Sequence, residues 1–78
     1  MSIKINFPKS GMGIDEGTVI RWLRAVGERV QKGEVIVEIE TAKATQEVEA
    51  PVTGTLAAIL VPEGQTVAVN MTLGTIEE

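Results

Sequence analysis

A displacement of 37 residues lays the second half of this chain on the first: Gly17-Thr18 falls on Gly54-Thr55, Gly27 on Gly64, Val30 on Val67, and Ile39-Glu40 on Ile76-Glu77. Apolar positions between these marks follow, with Val19 on Leu56, Leu23 on Leu60 and Ile36 on Leu73. A solenoid needs three or more repeats. Two copies suit the halves of one β domain related by an approximate two-fold axis. The repeat also resolves a local ambiguity. From Thr18 to Val30 the apolar positions 19, 20, 22, 23, 26 and 30 would suit an amphipathic helix. The second copy has Pro62-Glu63-Gly64 at the matching place, and an interior proline costs a helix about 3 kcal/mol. Both copies therefore read as strand, turn and short strand, with strands over 18–23 and 55–60 and turns at 25–28 and 62–65.

The run from Val35 to Ala50 sets the register of a hairpin. Val35, Val37 and Ile39 alternate on one face before Lys43, and Gln46, Val48 and Ala50 do so after it. Folded about Ala42-Lys43, the run sets Val37 against Val48, Glu38 against Glu47 and Ile39 against Gln46, which puts the apolar set on one side. Yet the implied two-residue turn contains no Gly, Asn or Asp, the residues that favour such turns. A lysine at the tip of a turn made from poor turn formers is where function can override local preference. Further strands are expected over 3–6, 35–41, 44–50 and 73–77, with short extended pieces near Val30 and Val67. Pro51 suits a strand end, where a missing N–H breaks no ladder bond. Short strands separated by Gly- and Pro-marked turns point to an all-β sandwich or small barrel.

Seventy-eight residues with no linker read as one domain, 1–78, near the lower limit for a self-sufficient core. The chain has no Cys and no His. Disulfides, thiolate zinc sites, thiol nucleophiles and the commonest general base are thereby excluded. A net charge of −4 and two aromatic residues, Phe7 and Trp22, argue against nucleic-acid binding and against an anionic membrane surface. No apolar run is long enough to span a membrane, and the alternating start lacks the apolar region of a secretory signal. A cytoplasmic location is the expectation. The start at Met1 and the end soon after the last expected strand suit an N-terminal domain that precedes a linker.

Several local features have ordinary explanations. The run Lys9-Ser10-Gly11-Met12-Gly13 lacks the G-K-[ST] of a phosphate loop and reads as a surface loop between strands. Trp22 reads as core or half-buried. Glu38, Glu40, Glu47 and Glu49 fall on the outward face of the hairpin. There they lack the unequal, desolvated surroundings that split a catalytic carboxylate pair, and the ligand loop of a calcium site is absent. No catalytic residue and no metal ligand is assigned. A nucleophilic Lys43 would need burial or neighbouring cations, and its neighbours are carboxylates. What suits Lys43 is presentation to a modifying enzyme, with small Ala42 and Ala44 beside it.

Glu40-Thr41-Ala42-Lys43-Ala44 resembles the attachment motif of lipoyl domains, most often Glu-Thr-Asp-Lys-Ala. The resemblance covers nearly the whole chain: Glu16-Gly17-Thr18-Val19 with Trp22, Gly27-Glu28 with Val30, Gly33, and Glu49-Ala50-Pro51-Val52 with Gly54. Glu28 stands where the family usually has Asp. The resemblance implies a flattened β-barrel or sandwich of two four-stranded antiparallel sheets with pseudo-two-fold symmetry. It implies lipoic acid in amide linkage to Lys43, with Glu40, Thr41, Ala42 and Ala44 as recognition residues. Gly27 and Gly54 match family glycines in turns, where positive φ is the physical need. The implied role is a non-catalytic swinging-arm carrier within a dihydrolipoamide acyltransferase of a 2-oxo acid or acetoin dehydrogenase complex. Its partners would be a lipoate ligase or lipoyl-transfer enzymes, a thiamine-diphosphate decarboxylase, the acyltransferase core and a flavoprotein dihydrolipoamide dehydrogenase. The isolated domain is expected to be monomeric, with the loop 7–14 exposed and adding decarboxylase contacts. Ala42 departs from the commonest Asp, and so bears on which decarboxylase reads the hairpin. Biotinyl domains share the fold but usually carry Met-Lys-Met. A biotin carrier, and an unmodified barrel serving as an interaction module, are the alternatives.

Overall fold

The computed structural model describes residues 1–8 and 15–78. The expected loop 9–13 therefore lies outside the described residues. Eight strands are described: β1 (Ser2–Asn6), β2 (Glu16–Trp22), β3 (Arg29–Val30), β4 (Val35–Glu40), β5 (Thr45–Glu49), β6 (Gly54–Ile59), β7 (Thr66–Ala68) and β8 (Thr72–Glu77). They form two four-stranded antiparallel sheets, ordered β1-β8-β6-β3 and β5-β4-β2-β7. Among the described residues no pairing joins one sheet to the other, so the expected pair of four-stranded antiparallel sheets takes the sandwich form, with the barrel not closed. The described residues contain no helix.

The repeat is a symmetry of the backbone. Strands β2, β3 and β4 exchange with β6, β7 and β8, and the hydrogen bonds exchange with them. Gly27 N–H donates to Leu56 O as Gly64 N–H does to Val19 O, and Leu23 N–H donates to Ile36 O as Leu60 N–H does to Leu73 O. Gly27 and Gly64 take φ of 96° and 87°, and Gly33 (88°) has its counterpart in Asn70 (72°). Asn is the side chain that tolerates this left-handed region best after glycine. Each pair of turns is thus the same turn built twice.

Bulges correct the simple alternation. Between Val35 and Val37 of β4 the register against β5 shifts, so Ile36 is an extra residue on that strand. Ile36 and Val37 are consequently both buried and Val35 only partly so. A bulge inserts one residue and changes the phase of the facing pattern, which period-two counting cannot see. The counterpart bulge holds Leu73 in β8, also buried.

The core between the sheets contains Ile5, Phe7, Val19, Val30, Ile36, Val37, Ile39, Val48, Ala50, Leu56, Val67, Leu73 and Ile76. Each large side chain among them stabilises the fold by about 1.5–3 kcal/mol relative to exposure. Phe7, expected in an exposed loop, is fully buried; its backbone also pairs with Asn70 and Met71. Trp22 is half-buried against this core and donates its indole N–H to Val61 O at 2.9 Å.

Gly54 does not sit in a turn with positive φ as expected. It is the first residue of β6, and a Cβ there would lie 2.4 Å from Glu77 O and 2.7 Å from Ile76 Cγ2. Glycine is needed for close approach of β6 to β8, while Gly27 answers the expectation with its left-handed backbone.

Candidate functional site

The β4–β5 hairpin has the register read from the sequence: Val37 faces Val48, Glu38 faces Glu47, Ile39 faces Gln46 and Glu40 faces Thr45. Val37, Ile39 and Val48 point into the core, so the hairpin is fixed along its length by burial. Lys43 lies at its tip and is exposed, as are Ala42, Ala44 and Glu40.

The turn owes its form to Thr41. Thr41 N–H donates to Ala44 O at 3.0 Å, and Thr41 Oγ1 donates to the same carbonyl at 2.7 Å. The hydroxyl oxygen also accepts the N–H of Ala44 at 3.2 Å and, more weakly, that of Lys43 at 3.4 Å. Among the described residues only Asn70 of the non-glycines has positive φ. Ala42 and Lys43 therefore avoid the mirror-image turns that demand Gly, Asn or Asp. The missing turn formers are explained by a turn closed with a side chain.

The hairpin tip joins the two symmetric halves. Its two-fold counterpart is the place where the chain ends meet: Glu78 N–H donates to Met1 O at 3.1 Å, as Thr41 N–H does to Ala44 O. These places lie at opposite ends of the molecule, because β5 leaves the far end of its sheet and reaches Gly54, beside Glu77, in four residues, Ala50–Thr53.

Carboxylates surround the hairpin without forming a catalytic pair. Glu38 and Glu47 face each other, and like charges so placed are destabilising. Arg21, which sequence reasoning did not single out, lies opposite Glu38 on β2 and bonds it at 2.8 Å from Nε to Oε1. The row Arg21–Glu38–Glu47 thus places a cation beside two anions. Its signal was the strand pairing, which one sequence does not show. Glu40, Glu47 and Glu49 are exposed. Beside the tip, Glu16, Gly17, Thr18, Glu40, Thr41, Ala42 and Thr66 line a shallow depression of about 310 Å³. Among the described residues no cluster of ligating side chains could hold a metal ion.

The sequence-expected residues are thus brought together at one end. Glu40, Thr41, Ala42, Lys43 and Ala44 form the tip, while Gly27 and Gly54 support the strands elsewhere. Among the described residues the hairpin tip presents one exposed primary amine, that of Lys43, on a rigid support.

Comparison with known proteins assigns the chain to a family. Residues 3–76 match the biotin/lipoyl family, described as "Biotin-requiring enzyme". The chain is 47% identical over 79 residues to the dihydrolipoyllysine-residue acetyltransferase component of the pyruvate dehydrogenase complex of Rickettsia bellii, covering 100% of this chain and 19% of that protein. It is 44% identical over 77 residues to the dihydrolipoyllysine-residue succinyltransferase component of the 2-oxoglutarate dehydrogenase complex of Bartonella vinsonii subsp. berkhoffii, covering 99% and 19%. The chain thus spans about one-fifth of the length of these curated relatives. Among solved structures, the lipoyl domain of the 2-oxoglutarate dehydrogenase complex from Azotobacter vinelandii superposes with a TM-score of 0.73 at 38% identity, covering 95% of this chain and 96% of that one. Kluyveromyces lactis urea carboxylase superposes with a TM-score of 0.84 at 22% identity over 99% of this chain and 6% of that one, a likeness of fold alone. The chain belongs to the biotin/lipoyl family, and its likeness to a lipoyl domain makes it a carrier module and not itself a catalyst.

Proposed function

We propose that Lys43 carries lipoic acid in amide linkage and that the chain is the swinging-arm carrier of a dihydrolipoamide acyltransferase in a 2-oxo acid dehydrogenase complex. The observation that carries this is the position of Lys43: exposed at the tip of the hairpin that joins the two halves, inside Glu40-Thr41-Ala42-Lys43-Ala44. The names of the relatives favour lipoic acid over biotin, and so do the alanines where biotinyl domains usually carry methionines.

The residues present fit the group. No described side-chain partner holds Lys43 Nζ, and the flanking methyl groups of Ala42 and Ala44 leave room for a ligase active site to close around the amine. Lipoic acid, when bound, supplies a dithiolane that takes up an acyl group with two electrons and gives them up at other active sites. The chain's own contribution is mechanical and electrostatic. Buried Val37, Ile39 and Val48 fix the axis of the hairpin, and the Thr41 bonds fix its tip, so the arm starts from one point. Amide formation removes the ammonium charge of Lys43, which leaves the Glu40 end of the hairpin more anionic after loading than before.

The partners of this reading are a lipoate ligase or lipoyl-transfer enzymes, a thiamine-diphosphate decarboxylase, the acyltransferase core and a flavoprotein dihydrolipoamide dehydrogenase. Tethering raises the effective concentration of the arm at each of these, into the mM range for a short flexible link. The test is transfer of label. Lipoylated chain, decarboxylase and carbon-labelled 2-oxo acid should yield labelled chain, and added acyltransferase should pass that label to coenzyme A. Label that never enters the chain with any of several decarboxylases contradicts the carrier role. Streptavidin-reactive chain after exposure to biotin ligase would favour the biotin alternative.

A further inference from the structure

Thr41 commits its entire hydroxyl to the turn that bears Lys43. A threonine hydroxyl has one proton to donate and two lone pairs. The proton goes to Ala44 O at 2.7 Å, and the lone pairs take the N–H groups of Ala44 at 3.2 Å and Lys43 at 3.4 Å. Nothing remains with which a docking protein could bond this group unless the turn opens.

The symmetry shows that the hydroxyl is an addition to the fold. At the two-fold counterpart, Glu78 and Met1 close their end with the same backbone bond, 3.1 Å, and position 78 supplies no hydroxyl. Ladder pairing therefore forms without it. What the lysine end has in addition is a continuous two-residue connection whose φ values are not those of the usual hairpin turns. Turns outside the mirror-image set splay the flanking strands, and three bonds to one β-branched side chain, itself restricted in χ1, oppose that splay.

We propose that Thr41 is a positioning residue for modification of Lys43: its side chain holds the 42–43 turn in the conformation that a lipoyl-transferring enzyme accepts, and the enzyme does not read it directly. This rests on the reading of Lys43 as the lipoylated residue. When the turn is only fractionally formed, the apparent affinity for a partner falls by that fraction, while events after binding are unchanged. Loss of Thr41 is thus a change in KM and not in kcat.

The experiment measures ligase kinetics on the whole chain as wild type, Thr41→Val and Thr41→Ser, beside amide hydrogen exchange of the same proteins. Thr41→Val keeps the branched shape and removes the hydroxyl. It should raise KM for the protein substrate about tenfold, the population change expected from losing one or two net hydrogen bonds, with kcat held within about twofold. Exchange at Ala44 N–H should accelerate by a similar factor while Val37 and Val48 stay protected. Thr41→Ser should restore both readouts. Wild-type KM in Thr41→Val overturns the proposal, as does a Thr41→Ser variant no better than Thr41→Val. Impaired modification with unchanged Ala44 exchange also overturns it, since the enzyme would then be reading the hydroxyl itself. A wild-type chain that no lipoate ligase modifies defeats the lipoyl reading and this assignment with it, whereas Ala44 exchange alone separates that failure from failure of the turn geometry.

Discussion

Replacing Gly54 by alanine should be among the most damaging single-methyl changes in this molecule. The new Cβ would lie 2.4 Å from the carbonyl oxygen of Glu77 and 2.7 Å from Ile76 Cγ2. The first obstacle is backbone, held in the β6–β8 ladder by the Thr55–Glu77 and Leu56–Ile76 pairs. Relief therefore requires the two strands to part by most of an ångström or their pairing to loosen. Overpacking of this kind costs about 1–3 kcal/mol, and a backbone obstruction belongs at the upper end. A core of this size supplies only about 3–5 kcal/mol of stability, so the variant should keep half of it or less. Urea unfolding followed by tryptophan fluorescence reads this directly, since Trp22 packs on the same core. At about 4–8 °C per kcal/mol for a domain of this size, the midpoint of thermal unfolding should fall by about 10–20 °C. Two related variants calibrate the result. Gly27→Ala meets no atom within 4 Å but must keep φ near 96°, so it should cost about 1–2 kcal/mol by backbone strain. Gly17→Ala meets the branch methyl of fully buried Ile39 at 2.5 Å and Glu40 O at 3.0 Å; a β-branched core side chain is stiff at χ1, so its cost should also lie in the overpacking range of about 1–3 kcal/mol. A Gly54→Ala variant within about 0.5 kcal/mol of wild type, the range of ordinary surface changes, would refute the close-approach argument.

Two other outcomes follow from the charges. Arg21→Ala removes the guanidinium that bonds Glu38, which faces Glu47; because Arg21 is largely exposed, urea titration should show a loss of under about 1 kcal/mol that shrinks in high salt. The Glu77 carboxyl is held below its ordinary value of 4.5 by the Ser2 hydroxyl first and by the Met1 ammonium second. A depressed folded-state value means that this group's stabilisation is complete above pH 4.5 and is lost as pH falls through the lowered value. The difference in stability between wild type and Glu77→Gln should therefore be constant near neutrality and close as the solution is acidified below that point.

Much of this structure was legible in the sequence because its period-two pattern and its repeat agree. The Val37–Val48 and Glu38–Glu47 pairings followed from alternation alone, and Pro62 in one copy ruled out a helix in the other. What alternation missed was its own interruption. The bulge at Ile36 buries two successive side chains, and nothing in a run of valines and isoleucines marks where phase is lost. Gly54 was assigned to the right kind of residue for the wrong reason, since sequence does not separate a glycine needed for its φ from one needed for its missing Cβ. Phe7 illustrates a third gap: it was placed in an exposed loop, 7–14, alongside the family resemblance, whereas its backbone pairs with Asn70 and Met71 and its ring is fully buried. At the site, the five-residue motif named the lysine, but only the hydrogen bonds of Thr41 show how alanines can flank it in a tight turn.

The proposed function requires that one amine, that of Lys43, receive the lipoyl group. Intact mass of the chain after coexpression with a lipoate ligase, followed by peptide mapping, tests it most directly. A single added lipoyl group is expected, located on Lys43 and absent from Lys43→Arg, with Lys4, Lys9 and Lys32 unmodified. A chain that stays unmodified beside a modified control domain, or one whose group sits on another lysine, contradicts it.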